Sequence, residues 1–331
     1  MTRTVANPLV ACAVLISGAL LAVPAAAHHS RAEFATGSEV VLQGTVTRFN
    51  WTNPHVYIYL TADDGGRKTE WEVEADAMPL LSRSGWTAKS LAPGDVIRVR
   101  AVPNRRPDGR RVLLLSVTTA AGTVLTPRRP ADERRPVARA TSLSGIWELP
   151  GGEDTGDFSK RWAAVPLTPK AAAAKSAFRP ADRPAAKCIA PPTPMIMAMP
   201  YLNAIEVRKD AVILRSEFFN VERTVYMDGR GHPPNGRSNQ GHSIGRWDGE
   251  VLVVDTRLFE DHRAPIRGPN EGVPSGARRH VVERYQLSPD KTRLFIDFVV
   301  TDPDYLAAPF SGRLEWVYSP HLTMMPFPCL P

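Results

Sequence analysis

The stretch GHSIGRWDGEVLVVDT, residues 241–256, decides the reading of the fold. Asp248-Gly249 stands between two runs rich in strand-forming residues, and a two-residue hairpin turn requires positive φ, which Gly and Asp supply most cheaply. The stretch therefore reads as one hairpin of an antiparallel sheet. Working outward, the same grammar repeats. NAIEVRKD, AVILRSEFF, ERTVYMDG, HSIGRWDG, EVLVVDTRLF, RRHVVERYQLSPD, TRLFIDFVV and GRLEWVYSP give eight candidate strands between Asn203 and Pro320. Ser288-Pro289-Asp290-Lys291 is a second turn signal. Eight strands in simple succession predict an up-and-down antiparallel barrel, a lipocalin-like meander that removes its edges by closing. GIW at 145–147 matches the lipocalin G-x-W opening. A barrel of this size either holds one small ligand or is filled by its own side chains.

Upstream, residues 39–120 predict a smaller β domain. Val56, Ile58 and Leu60 alternate with His55, Tyr57 and Tyr59, the period of a strand with two different faces. DDGG then turns the chain into TEWEVEA, MPLLSRSGW fits a short helix, and two further strands flank the Gly/Pro loop near NRRPDGRR. Five strands with a helix between the third and fourth is the order of an OB-like barrel. The expected fold is thus mainly β: a small OB-like β-barrel followed by a larger antiparallel one. Residues 121–142, rich in Pro, Arg and Ala, form a linker, and 143–331 form the second domain. Within it LTPKAAAAKSAF predicts a helix capped by Thr168 with Pro169 at its first position, and the stretch from Arg179 to Tyr201 is too proline-rich for regular structure.

The first 27 residues are expected to be a signal peptide: Arg3, an apolar run from Pro8 to Val23, then Ala25 and Ala27 as the small residues of a cleavage site. That run is shorter than the roughly 20 residues of a spanning helix, so no stable membrane anchor is expected. Residues 28–38 become the mature amino-terminal segment of a periplasmic or secreted protein. Export leaves Cys188 and Cys329, an even pair that predicts a disulfide in an oxidising compartment. The formal charge is +7. Much of the excess sits in two Arg-rich stretches, 104–111 and 127–139. Such runs can bind nucleic acid, but in an exported chain the expected partners are anionic envelope polymers or lipid head groups, and a solvated loop and linker without a partner is favoured over either.

Two residue sets carry chemistry. The loop DGRGHPPNGRSNQGHSIGRWDG, 228–249, gathers Asp228, Arg230, His232, His242, Arg246 and Asp248 around glycines, a natural binding site at a barrel mouth. The second set begins at AAAHHSRAEF, residues 25–34. Cleavage after Ala27 makes His28 the amino terminus, so its α-amine and Nδ1 can chelate. One more imidazole, from His29 or His55, completes a nitrogen set suited to copper(II). GHSIG at 241–245 matches the G-x-S-x-G nucleophile elbow with Ser243 at its centre, and Asp255, His262 and His280 could be offered as partners. The strand–turn–helix scaffold that the elbow needs is missing. His280 and Glu283 lie three apart on a candidate strand and point to opposite faces.

The first domain resembles a family of uncharacterised secreted bacterial proteins through AHHS at the signal junction, GTV at 44–46, WTNPHV at 51–56, GW at 85–86 and LAPGD at 91–95. The second resembles another secreted bacterial module without assigned activity through GIW, YMDGRGHP, GHSIGRWDGEVLVVDT and VERY. The resemblance implies an envelope location and a two-module build, and it brings no catalytic residue. The expected function is an exported, non-catalytic binding protein for a small molecule or an envelope partner. The alternatives are a copper-handling protein and a hydrolase using the 228–249 loop.

Overall fold

The computed structural model describes residues 33–64, 66–128, 137–150, 162, 164–179, 184–261 and 272–329. The signal segment, His28, His29 and His262 lie outside them. The fold is mainly β and consists of two closed barrels.

The first barrel uses β1 (Val40–Asn50), β2 (Tyr57–Asp64), β3 (Arg67–Glu74), β4 (Val96–Val102) and β5 (Arg111–Thr119), with helix α1 (Met78–Arg83) between β3 and β4. β1 pairs antiparallel with both β2 and β4, and a parallel pairing of β3 with β5 closes the ring. The expected alternation holds: Val56, Ile58 and Leu60 are buried in its core beside Val73, Val99 and Trp86. The GW motif is explained by Trp86, whose indole N–H donates to the Thr126 carbonyl at 2.7 Å. Part of the expected linker therefore belongs to this barrel. β6 (Val124–Leu125) pairs with β5, and Arg128 binds Asp76 at 2.9 Å.

The second barrel contains the eight expected strands and a ninth. In ring order these are β10 (Val221–Tyr226), β11 (His242–Asp248), β12 (Val251–Arg257), β13 (His280–Leu287), β14 (Arg293–Thr301), β15 (Phe310–Tyr318), β7 (Gly145–Glu148), β8 (Asn203–Val207) and β9 (Ala211–Ser216). The GIW stretch is the added strand, wedged between β15 and β8. A closed ring with an odd number of strands cannot alternate direction throughout, so at least one neighbouring pair must run parallel. In the small barrel that pair is β3–β5; in the large one it is β10–β11. Parallel neighbours cannot be joined by a tight hairpin, which accounts for the long excursion of residues 227–241. The β11–β12 hairpin turns on Gly249 (φ 61) and Glu250, one residue later than the Asp-Gly signal suggests.

The barrel interior is filled by its own chain. The proline-rich stretch enters it as a plug, with Thr193 and the 3₁₀ turn Met195–Ala198 buried. Buried polar groups receive the plug. Glu283 accepts from Arg223 at 2.5 and 2.9 Å, from Tyr285 at 3.0 Å and from Thr193 at 3.2 Å. Arg279 donates to the Thr193 carbonyl at 2.5 Å, and Trp316 to that of Met197 at 3.2 Å. Arg223 and Glu283 are tolerable inside the barrel because they are paired and hydrogen-bonded. Helix α2 (Pro169–Ala177) forms as expected, with the Thr168 hydroxyl accepting from the Ala171 N–H.

The Cys188–Cys329 disulfide is present, with Cα atoms 5.7 Å apart. It ties the start of the plug to the end of the described chain. The barrels meet at α1 and the Ala77 that precedes it: Leu81 packs in the small core while Ala77 and Leu80 join the large one. Arg83 on the same helix forms a two-pronged pair with buried Glu217 at 2.9 and 2.8 Å.

Candidate functional site: an imidazole–carboxylate cluster on the barrel wall

Alternation along the strands sorts the side chains near the 227–241 excursion. On β12, Leu252, Val254 and Thr256 are buried, and Asp255 takes the outer face; on β13, Val281 and Glu283 are buried and His280 faces out. His280 and Glu283 thus occupy opposite faces. On β11, Ser243 is buried, and His242 lies on the outer side with Tyr226 of β10 beside it. Four neighbouring strands consequently set Tyr226, His242, Asp255 and His280 on one patch of outer wall. The excursion, which exists because β10 and β11 are parallel, returns His232 onto that patch.

Asp255 is the hub. His232 Nε2 lies 2.8 Å from its Oδ1 and His280 Nε2 lies 2.7 Å from its Oδ2. Arg257 Nε donates to Oδ1 at 3.1 Å. Burial alone would raise the Asp255 pKa, but the hydrogen bonds from His280 and His232 outweigh it and hold the carboxyl well below the usual range. A carboxylate can only accept, so both imidazoles present Nε2–H to it. For a neutral His232 the lone pair is then on Nδ1, which lies 2.9 Å from His242 Nδ1. Only His242 can donate in that contact, and this places the His242 lone pair on Nε2. The carboxylate thereby fixes the tautomers of three rings. Burial, then the neighbouring His232 and Arg230, lower the His242 pKa, so its neutral form is favoured. Tyr226 stacks on His242 with centroids 5.1 Å apart, and the Arg230 guanidinium, paired with Asp228, lies 4.2 Å from the centre of the same phenol ring.

The structure divides the expected loop set. Asp228, Arg230, His232 and His242 come together on the outer face at one end of the barrel, where β10 ends and β11 and β13 begin. Arg246 and Asp248 do not join them, because β11 carries them up to about 20 Å along the strand. Asp248 binds Arg284 there at 2.9 Å. Asp255, His280 and Tyr226 complete the cluster. Strand alternation could have marked the first two as outward-facing, but only the register of three strands makes them neighbours. Among the described residues the serine arrangement with Asp255 and His280 does not form. Ser243 points into the barrel and shares a hydrogen bond with Thr256 at 2.9 Å, on the opposite face of the sheet from the imidazoles.

In the small barrel, His55 Nδ1 lies 3.0 Å from the Ala75 carbonyl, which can only accept, so the neutral ring carries its lone pair on Nε2. Among the described residues no group of three or more His, Cys, Asp or Glu is arranged to hold a metal ion.

Fold and cluster together define a two-barrel β protein with a hydrogen-bonded imidazole–carboxylate site on the wall of its larger barrel. Residues 15–112 match a family described as a family of unknown function (DUF6152), a span that includes His28, His29 and His55 and reaches the start of β5. No curated protein matches the chain.

Proposed function

We propose that the protein is an exported, non-catalytic binding protein whose larger barrel holds a small polar ligand at His242, between the Arg230–Tyr226 stack and the Asp255 hub. The carrying observation is the tautomer lock. Half-exposed ion pairs and hydrogen bonds of this kind add little stability, about 0–1 kcal/mol each. What the network supplies is orientation: a neutral imidazole with its acceptor nitrogen on Nε2, beside a guanidinium. A ligand that donates a hydrogen bond and carries an anionic group complements that pair. The disulfide is compatible with the oxidising compartment that export implies. The test is a thermal-shift screen of hydroxy-acids and phosphate esters against the intact chain and His242→Ala. We expect His242→Ala to fold with nearly unchanged melting and to lose the shift given by any ligand that stabilises the wild type. Equal shifts in both proteins for every such ligand would refute the site.

A second reading, copper binding through the mature amino terminus, is favoured by His55. A metal-ligating histidine commonly donates its other N–H to a carbonyl, and the Ala75 contact matches that pattern. Reach also favours it. Glu33 is held 3.6 Å from Arg111, Arg111 lies 6.0 Å over Tyr57, and Tyr57 is 6.4 Å from His55. His28 precedes Glu33 by five positions in the chain, a span of up to about 17 Å. Copper(II) titration of the processed protein should give tight one-to-one binding that His55→Ala weakens; unchanged affinity in that variant would exclude His55.

A further inference from the structure

The same strands that begin at the imidazole cluster end, at the opposite rim of the barrel, in a groove of about 550 Å³. That volume lies within the range of small-ligand sites. Trp247 and Lys291 line it together with Gln286, Glu250, Ser142 and Phe295. Two of these residues are placed at a cost that the barrel itself does not require.

Trp247 continues the inward alternation of Ser243 and Gly245 and pairs in register with Leu252, which is fully buried. Beside the β11–β12 turn, however, the indole itself stands 45% exposed. An exposed indole forfeits the burial that would normally stabilise so large an apolar side chain.

Lys291 ends the β13–β14 turn at φ 58. That left-handed conformation is unfavourable for any residue with a Cβ and is most easily met by glycine. The turn is held from several sides. Lys291 N–H donates to the Ser288 carbonyl at 2.8 Å, the Ala140 N–H donates to the Lys291 carbonyl at 2.8 Å, and Asp290 accepts from the Ser288 hydroxyl at 2.6 Å. None of these bonds uses the lysine side chain. A residue kept in a strained conformation whose side chain does nothing for the turn points to a role for that side chain.

We infer that this groove is a binding site for an acidic saccharide. The apolar CH face of a pyranose ring covers the indole. A carboxylate or phosphate on the sugar meets the Lys291 ammonium. The amide of Gln286, the carboxylate of Glu250 and the hydroxyl of Ser142 supply the mixed donors and acceptors that sugar hydroxyls need. A simple anion would make no use of Trp247, and a neutral sugar would make no use of Lys291. This site is separate from the imidazole cluster and does not depend on it.

The experiment is calorimetric titration of the intact chain with trigalacturonic acid, with maltotriose as the uncharged sugar and citrate as the charge without a ring. Trigalacturonic acid should bind and the other two should not. Lys291→Gly should weaken binding at least tenfold while leaving the melting temperature unchanged or raised, since it relieves the left-handed strain. Trp247→Ala should abolish binding, and His242→Ala should leave it intact. Absent binding of trigalacturonic acid, equal binding of maltotriose or citrate, wild-type affinity in Lys291→Gly, or loss of binding in His242→Ala would each overturn the assignment. Lys291→Gly keeps the test decisive even if Trp247→Ala folds poorly.

Discussion

At the scale of single residues, Asp255 and His242 set how the barrel responds to acid. The Asp255 carboxyl is held below its ordinary range by His280 and His232 despite its burial. Its stabilising contribution is therefore complete above the unfolded value of about 4 and is lost as pH falls through the lower folded value. His242 is also lowered, by burial first and then by His232 and Arg230, so between its folded pKa and the unfolded value of about 6.5 the unfolded chain binds more protons. Stability there falls as pH is reduced. Both groups act in the same direction, in two successive windows. Melting temperature should decline from about pH 6.5 downward and again below about pH 4. His242→Gln should flatten the upper segment and Asp255→Asn the lower one. Superimposable pH profiles for the wild type and both variants would show that the cluster does not titrate as its hydrogen bonds require.

At the scale of elements, close approach between strands is the sharpest constraint. Gly44 lies on β1 where β2 crosses it, and a Cβ at that position would sit 2.3 Å from the Thr61 carbonyl oxygen. Backbone cannot yield as a flexible side chain can, so Gly44→Ala should destabilise the small barrel by about 1–3 kcal/mol, read as a lower denaturant midpoint. If the midpoint does not move, β1 and β2 are not in this register. Much of this architecture was legible in the sequence, because a strand with one buried face writes its alternation into five or more residues. Val56, Ile58 and Leu60 did so, and the eight runs from Asn203 onward stood out by strand-forming residues between turn signals, although β9 and β12 each bury three successive apolar residues. GIWE is only four residues long and could be read as a motif but not counted as a strand. Missing it hides the odd strand count, and with it the parallel β10–β11 pair and the reason for the long 227–241 excursion. The site was legible to the same degree. His232 and His242 stand out as polar residues in a glycine-rich loop, whereas Asp255 and His280 lie within strands where a polar residue merely marks the solvent face. Their convergence depends on register, which a single sequence does not carry. The proline-rich plug was opaque for a related reason: its order comes from Arg279, Glu283 and Trp316, all distant in the chain.

At the scale of the whole molecule, Glu217 ties three parts of the chain together. It lies in the large barrel, fully buried, and accepts from Arg83 of the small barrel and from the Met325 N–H of the C-terminal segment at 2.8 Å. Asn220, three residues on, exchanges two hydrogen bonds with Phe327, and the disulfide follows at Cys329. The segment is thus fastened at successive points, and each fastening acts on a different equilibrium. Breaking the disulfide as Cys188→Ser with Cys329→Ser frees a loop spanning 141 residues in the unfolded chain. The chain-entropy relation gives about 5 kcal/mol for that loss, and it falls on the large barrel, where both cysteines lie. Removing Arg83 acts instead on the native state. Arg83→Ala leaves the Glu217 carboxylate buried with backbone N–H groups but no countercharge, a loss of about 3–5 kcal/mol. That loss falls on the junction between the barrels. The two perturbations should therefore be distinguishable in a denaturant titration followed by far-ultraviolet circular dichroism. The intact chain should unfold in one transition, the cysteine variant in one transition at lower denaturant, and Arg83→Ala in two, as the small barrel uncouples from the large one. A single unshifted transition in Arg83→Ala would mean that the apolar contacts of Ala77 and Leu80 alone hold the barrels together.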